Sequence, residues 1–183
     1  MASVRSYLIP RADLDLASRA AMRINVDAKL EEAAQKLAIR PSVDDLVIRD
    51  TLPTTDLGMA AGESWLDPLA GVAATEHVFA TVVVALDRAI GFWGVGIETA
   101  TAGIDQLRFQ VAAGSVRGHF QLEQLNSSLE AVGYFSAAVI FTRQETLNIR
   151  VLPRLAYVAA TERLALLALT IEPLDAIVSR PSV

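Results

Sequence analysis

The chain has 183 residues, 52% hydrophobic and 20% charged, a size and balance that suit one domain with a substantial core and exclude disorder as the dominant state. Its formal net charge is −5, from 16 basic and 21 acidic residues with no lysine- or arginine-rich block, so direct nucleic-acid binding is not expected. Cysteine is absent, which removes disulfides, thiolate catalysis and cysteine-ligated metals.

The hydrophobic share is high for a free-standing domain, so part of the apolar surface is expected to be buried between subunits. Met1–Pro10 lacks the apolar core and cleavage site of a signal peptide. The longest apolar runs, such as Val82–Leu86 and Leu164–Leu169, are far too short to span a membrane. Synthesis and folding in the cytoplasm are expected.

In chain order, residues 1–42 read as an N-terminal arm. Asp13–Ile39 is rich in alanine, leucine and charge and contains no glycine or proline. Asp27 is a good N-cap, and Leu30, Ala33, Ala34 and Leu37 recur at helical spacing, so a short helix is predicted over about 27–38, ended by Pro41. Residues 13–24 suit either an earlier helical turn or an extended arm. A β domain is predicted over 43–173, then a tail over 174–183.

Within that domain Leu46–Arg49 is the first strand. Thr51–Thr75, punctuated by Pro53, Gly58, Gly62, Pro68 and Gly71, reads as a long loop. His77–Leu86 and Ile90–Glu98 are apolar on both faces, as strands buried between two layers are. Leu107, Phe109 and Val111 alternate with Arg108 and Gln110. Val116, Phe120 and Leu122 share a face opposite Arg117, His119 and Gln121, and Ala112–Ser115 makes a hairpin loop between the two strands. Asn126–Gly133 suits a loop or helical turn. Val139–Thr142 and Thr146–Leu152 follow, and a last strand, Leu164–Glu172, stops at Pro173. About eight short strands without βαβ alternation predict a mainly β, antiparallel sandwich or barrel.

Groups that could carry chemistry are few. His77 and His119 are the only histidines, and both read as solvent-facing, because no spacing supplies metal-ligand partners such as Glu98 or Glu123. No serine sits in a Gly-x-Ser-x-Gly elbow, and adjacent Asp44 and Asp45 point to opposite faces of a strand. Gly91–Gly96 resembles a nucleotide loop, but no helix follows it, so its glycines read as room for a neighbour to pack closely. No catalytic residue, cofactor or metal is therefore expected.

The interface candidates are Leu46, Val47, Ile48 and Trp65. Pro41 and Pro53 flank the 46–48 strand, which can complete a neighbour's sheet or its own. Trp65 suits an interface anchor and a lid over the sandwich end equally. The expected association is at least a homodimer, through residues 1–52. Phe79, Phe92, Trp93, Phe109, Phe120 and Phe141 suggest a filled core, against the alternative of a small-molecule-binding β-barrel.

Two stretches carry a family resemblance: Arg88–Glu98 followed by Ile104–Phe109, and Glu162–Pro173. With the strands between them, over about 43–173, they resemble the small major capsid proteins of tailless icosahedral phages with an internal membrane, of the Thermus phage type. The resemblance implies a single jelly roll standing upright on the shell, with two sheets of about four strands. It also implies hexagonal capsomers, a second, larger capsid protein as partner, and a membrane vesicle beneath, nearby but not spanned. The implied location is the virion capsid. Asp13–Ile39 departs from that pattern, since the barrel does not require it.

Overall fold

The computed structural model describes residues 7–36, 45–60, 65–97, 103–112, 114–126 and 131–174. Among them are nine strands: β1 (Leu8–Pro10), β2 (Leu46–Asp50), β3 (His77–Val83), β4 (Ala89–Ile97), β5 (Ile104–Val111), β6 (Ser115–Gln121), β7 (Val132–Phe141), β8 (Thr146–Pro153) and β9 (Leu164–Pro173). Three α-helices accompany them, α1 (Leu16–Lys36), α2 (Pro53–Asp56) and α3 (Glu123–Asn126), with a 3-10 helix at Arg11–Asp13.

One sheet has the order β1-β7-β4-β9-β2 and the other β3-β8-β5-β6. Every pair is antiparallel, and β5·β6, β4·β7, β3·β8 and β2·β9 form a nested series. Such a series is one long hairpin rolled up on itself, which is the jelly roll. The fold is therefore the mainly β sandwich expected, with β1 as an extra edge strand on the first sheet.

Between the sheets lies a continuous apolar core. Phe79, Phe92, Phe109, Phe120 and Phe141 are fully buried in it. Phe92 and Phe109 approach to 4.8 Å between centroids, and Phe120 stacks on Phe135 at 3.9 Å. Trp93, expected in this core, instead lies on the outer face of the first sheet, stacked on Tyr134 at 5.2 Å. The cause is alternation, since Phe92 beside it faces the core, and the register shift between Phe92 and Gly94 changes the phase beyond it. Trp93 is the extra residue of a bulge, so Ile90 and Phe92 before it and Val95 and Ile97 after it all reach the core despite their odd spacing.

The helix differs most from expectation. It starts at Leu16 rather than near Asp27, and residues 37 and 38 of the predicted span lie outside the described residues. Asp15 is the cap: its Oδ1 accepts the Ser18 N–H at 2.7 Å. Hydrogen bonding from the Ser18 side chain, and then from its N–H, lowers the pKa of the Asp15 carboxyl. Asp27 is mid-helix, 3.7 Å from Arg23 one turn earlier.

The helix is no arm, either. Val26, Leu30 and Ala34 are buried against Ala89, Leu169 and Ile171 on the outer face of the first sheet. Gly91 makes this close approach possible. A Cβ there would lie 3.2 Å from Val26 and 3.3 Å from Leu30, so the helix would have to give by a few tenths of an ångström.

Smaller differences have local causes. β3 ends at Val83, where Leu86 was expected, and β7 begins at Val132 rather than Val139. Val116 is 52% exposed instead of sharing the core face with Phe120. The β5–β6 register shifts between Phe109 and Gln110, leaving Arg117 unpaired. One extra residue turns every side chain beyond it to the other face. Of the tail predicted from 174, only Leu174 is among the described residues.

Candidate functional site

Leu46, Val47 and Ile48 are half-buried on β2, an edge strand that pairs with the chain's own β9, from Leu46↔Pro173 to Asp50↔Leu169. Leu46 and Ile48 pack into the cluster beneath α1. Trp65 is half-buried, packs against the main core, and accepts the Leu164 N–H at its carbonyl (2.9 Å), so it covers one end of the sandwich. Asp45 lies just before β2, and Asp44 lies outside the described residues.

The inward side of β9 runs from Leu164, Leu166 and Ala168 to Thr170 and Glu172, and its polar end meets a buried ion cluster. Asp56 and Glu172 are fully buried. Arg49 reaches Glu172 at 2.5 Å and both oxygens of Asp56 at 2.6 and 2.8 Å. Arg88 lies 3.1 Å from Asp56 and 3.0 Å from Glu172. Two guanidiniums and two carboxylates balance, which is the condition for keeping charge inside a fold. Burial pulls the Arg49 pKa down, but hydrogen bonds and charge from Asp56 and Glu172 outweigh it and raise the pKa well above the usual value. The cluster joins β2, α2, the β3–β4 turn and β9, and its chemistry is cross-linking.

A second hub sits where the 65–75 and 154–163 loops meet. Asp67 is fully buried. Its Oδ2 bonds His77 Nε2 at 2.7 Å and accepts the Tyr157 hydroxyl at 2.6 Å, while its Oδ1 accepts the Leu69 N–H at 3.0 Å. Glu162, also buried, accepts the Gly103 N–H at 3.3 Å. Burial, then the bond to Asp67, then the charges of Asp67 and Glu162 push the Tyr157 pKa well above the usual phenol range. His77 is thus a partner of a buried carboxylate and not the solvent-facing residue expected from sequence. Asp67 and Tyr157 were not singled out from the sequence, because a contact across ninety residues leaves no local spacing to read.

The outer face of the second sheet is polar. Glu76 is shared by Arg108 and by Arg150, the latter at 2.8 Å, and His119 bonds Gln106 at 2.9 Å. Arg117 bonds Glu145 and the Ile140 carbonyl, bridging β6 to β7 where the two sheets come together at their rim. Burial pushes the Glu145 carboxyl up, but bonds from Thr142 and Arg117 outweigh it and hold the pKa below the usual range. Among the described residues, no group of three or more His, Asp or Glu is placed to hold a metal.

Two shallow grooves open on the surface. One, of about 360 Å³, lies between α1 and β7 beside Trp93, and the other, of about 320 Å³, between residues 57–60 and 68–69 on one side and β3 on the other. No protein-family model, curated protein or solved structure matches this chain.

Proposed function

We propose that the protein is a structural subunit of a virus shell, a single jelly-roll major capsid protein of the tailless, internal-membrane phage type. The observation that carries this reading is the nested strand order, an arrangement that recurs in viral capsid proteins and also in lectins and cupins. A fold alone does not decide function. Two features favour the shell over its rivals. Among the described residues the sandwich interior is packed with phenylalanine and aliphatic side chains, where a ligand-binding barrel needs open apolar space with convergent polar groups. The charged groups in the interior are tied in cross-links between segments, as befits a rigid building unit.

In this reading the protein associates with itself, as a dimer or more, and with a second, larger capsid protein over the internal membrane. Leu46, Val47 and Ile48 lie on an edge strand, where a neighbour's strand can add. Cryo-electron microscopy of the purified protein, alone and co-produced with its shell partners, tests the proposal. Rings, lattice patches or closed shells built of upright jelly rolls are expected. A monomer under every condition contradicts it.

A further inference from the structure

Two clusters each hold a pair of arginines, and they balance differently. In the buried one, Arg49 and Arg88 meet Asp56 and Glu172, two guanidiniums to two carboxylates. On the outer face of the second sheet, Arg108 and Arg150 share the single carboxylate of Glu76, and indeed the same oxygen, Oε2. Among the described residues neither of them pairs with another carboxylate.

The strand register imposes this crowding. Arg108 on β5 stands directly opposite Arg150 on β8, with His119 of β6 on its other side. Their strand neighbours Leu107, Phe109, Ile149 and Val151 are buried in the core, so alternation turns both arginines outward. Like charges directly opposite on paired strands are destabilising, and one carboxylate offsets only half of the pair. Arg108 bonds Glu76 through Nη2 and Arg150 through Nε. Nη1 of Arg108 and both Nη groups of Arg150 have no acceptor among the described residues, and Arg108 Nε is shielded without one. The polar groups beside them are already engaged, Gln106 with His119 and Asn148 with Thr81.

We propose that Arg108 and Arg150 are a docking point for one further carboxylate, supplied by an acidic side chain of a partner protein. A single negative charge brings this cluster to the two-to-two balance of the buried one, and guanidinium forks take carboxylates in bidentate geometry. A dianion such as phosphate would overshoot that balance. The pair lies on a sheet face and lines neither groove. A free carboxylate would therefore gain the two forks alone, whereas one carried by a protein adds contact across the polar face around them. The proposal stands on this cluster and does not rest on the shell reading, so each can fail without the other.

Titration of the full chain, followed by the arginine Nε–Hε nuclear magnetic resonance signals, tests it with three probes: a capped tetraglutamate peptide, its tetraglutamine counterpart and acetate. The signals of Arg108 and Arg150 are expected to move with tetraglutamate and not with tetraglutamine, while those of buried Arg49 and Arg88 stay still. Acetate should bind about 10-fold more weakly than tetraglutamate, and added salt should weaken both. Arg150→Gln, which leaves one arginine to Glu76, should lower peptide affinity about 10-fold. Glu76→Gln, which leaves the arginine pair without a carboxylate, should raise it by about as much, a gain that a merely structural cluster would not give. If Glu76→Gln impairs folding, Arg150→Gln decides alone. No movement at Arg108 and Arg150, an equal response to tetraglutamine, acetate as tight as the peptide, or affinity indifferent to Arg150→Gln overturns the proposal. So does weaker binding by a folded Glu76→Gln variant.

Discussion

The two sheets share one core but meet the outside differently. The first is covered by α1, so β4 and β9 are apolar on both faces: Phe92 and Leu166 point into the sandwich, while Ala89, Leu169 and Ile171 lie under the helix. The second has no such cover among the described residues, and on its outer face Thr81 bonds Asn148, Gln106 bonds His119, and Arg108 and Arg150 both pair with Glu76. In β4 and β8 the burial pattern follows the number of layers that enclose the strand. β8 alternates buried and half-buried residues along its whole length, whereas in β4 only Trp93 escapes full burial.

Substitutions can break this contrast. Truncation in the shared core should be the most damaging: Phe109→Ala is expected to cost about 3–5 kcal/mol in denaturant unfolding. Next is the helix-covered face. Leu30→Ala should cost about 2–4 kcal/mol, a core-sized loss from a residue outside the sandwich. An effect there no larger than a surface change would mean that α1 does not seal the sheet.

Tyr157→Phe should cost about 1 kcal/mol, by leaving Asp67 short of a donor. It should also change the response to alkali. The folded-state pKa of Tyr157 is raised, so its contribution is intact below the usual phenol pKa near 10 and is lost as pH rises through the folded value. The variant should show a flatter alkaline limb in thermal unfolding, and an unchanged limb would separate Tyr157 from that loss. The smallest effect belongs to the bare face. Thr81→Ala should stay within about 0.5 kcal/mol of the parent, and a loss as large as that of Leu30→Ala would erase the distinction between the sheets.

Where local pattern and layer agree, the sequence was readable. Leu107 and Phe109, the alternation of β8, and β9 with its stop at Pro173 all lie where periodicity and turn residues put them. Where a single residue changes the phase, reading failed. The bulges at Trp93 and Arg117 turned Val95 and Ile97 into the core and Val116 into solvent, and no composition marks a bulge in advance. β3 looked enclosed on both faces, yet Val83 is 61% exposed on the uncovered sheet. Which sheet a strand joins is set by topology.

The helix start was lost because Asp15 and Asp27 are equally good caps by type, and only Asp15 is placed to hold the Ser18 N–H. The buried hubs were the least legible. Asp56, Asp67, Glu162 and Glu172 look like ordinary surface acids until the fold brings arginines, a histidine and a tyrosine to them.

The central claim is that α1 belongs to its own chain's fold and is no arm reserved for a neighbour. Hydrogen–deuterium exchange of the 16–36 segment, followed by mass spectrometry from dilute to concentrated protein, tests it most directly. Amides around Val26, Leu30 and Ala34 should be strongly protected, and equally so at every concentration. Rapid exchange in dilute solution, with protection appearing only as the protein associates, would contradict the account.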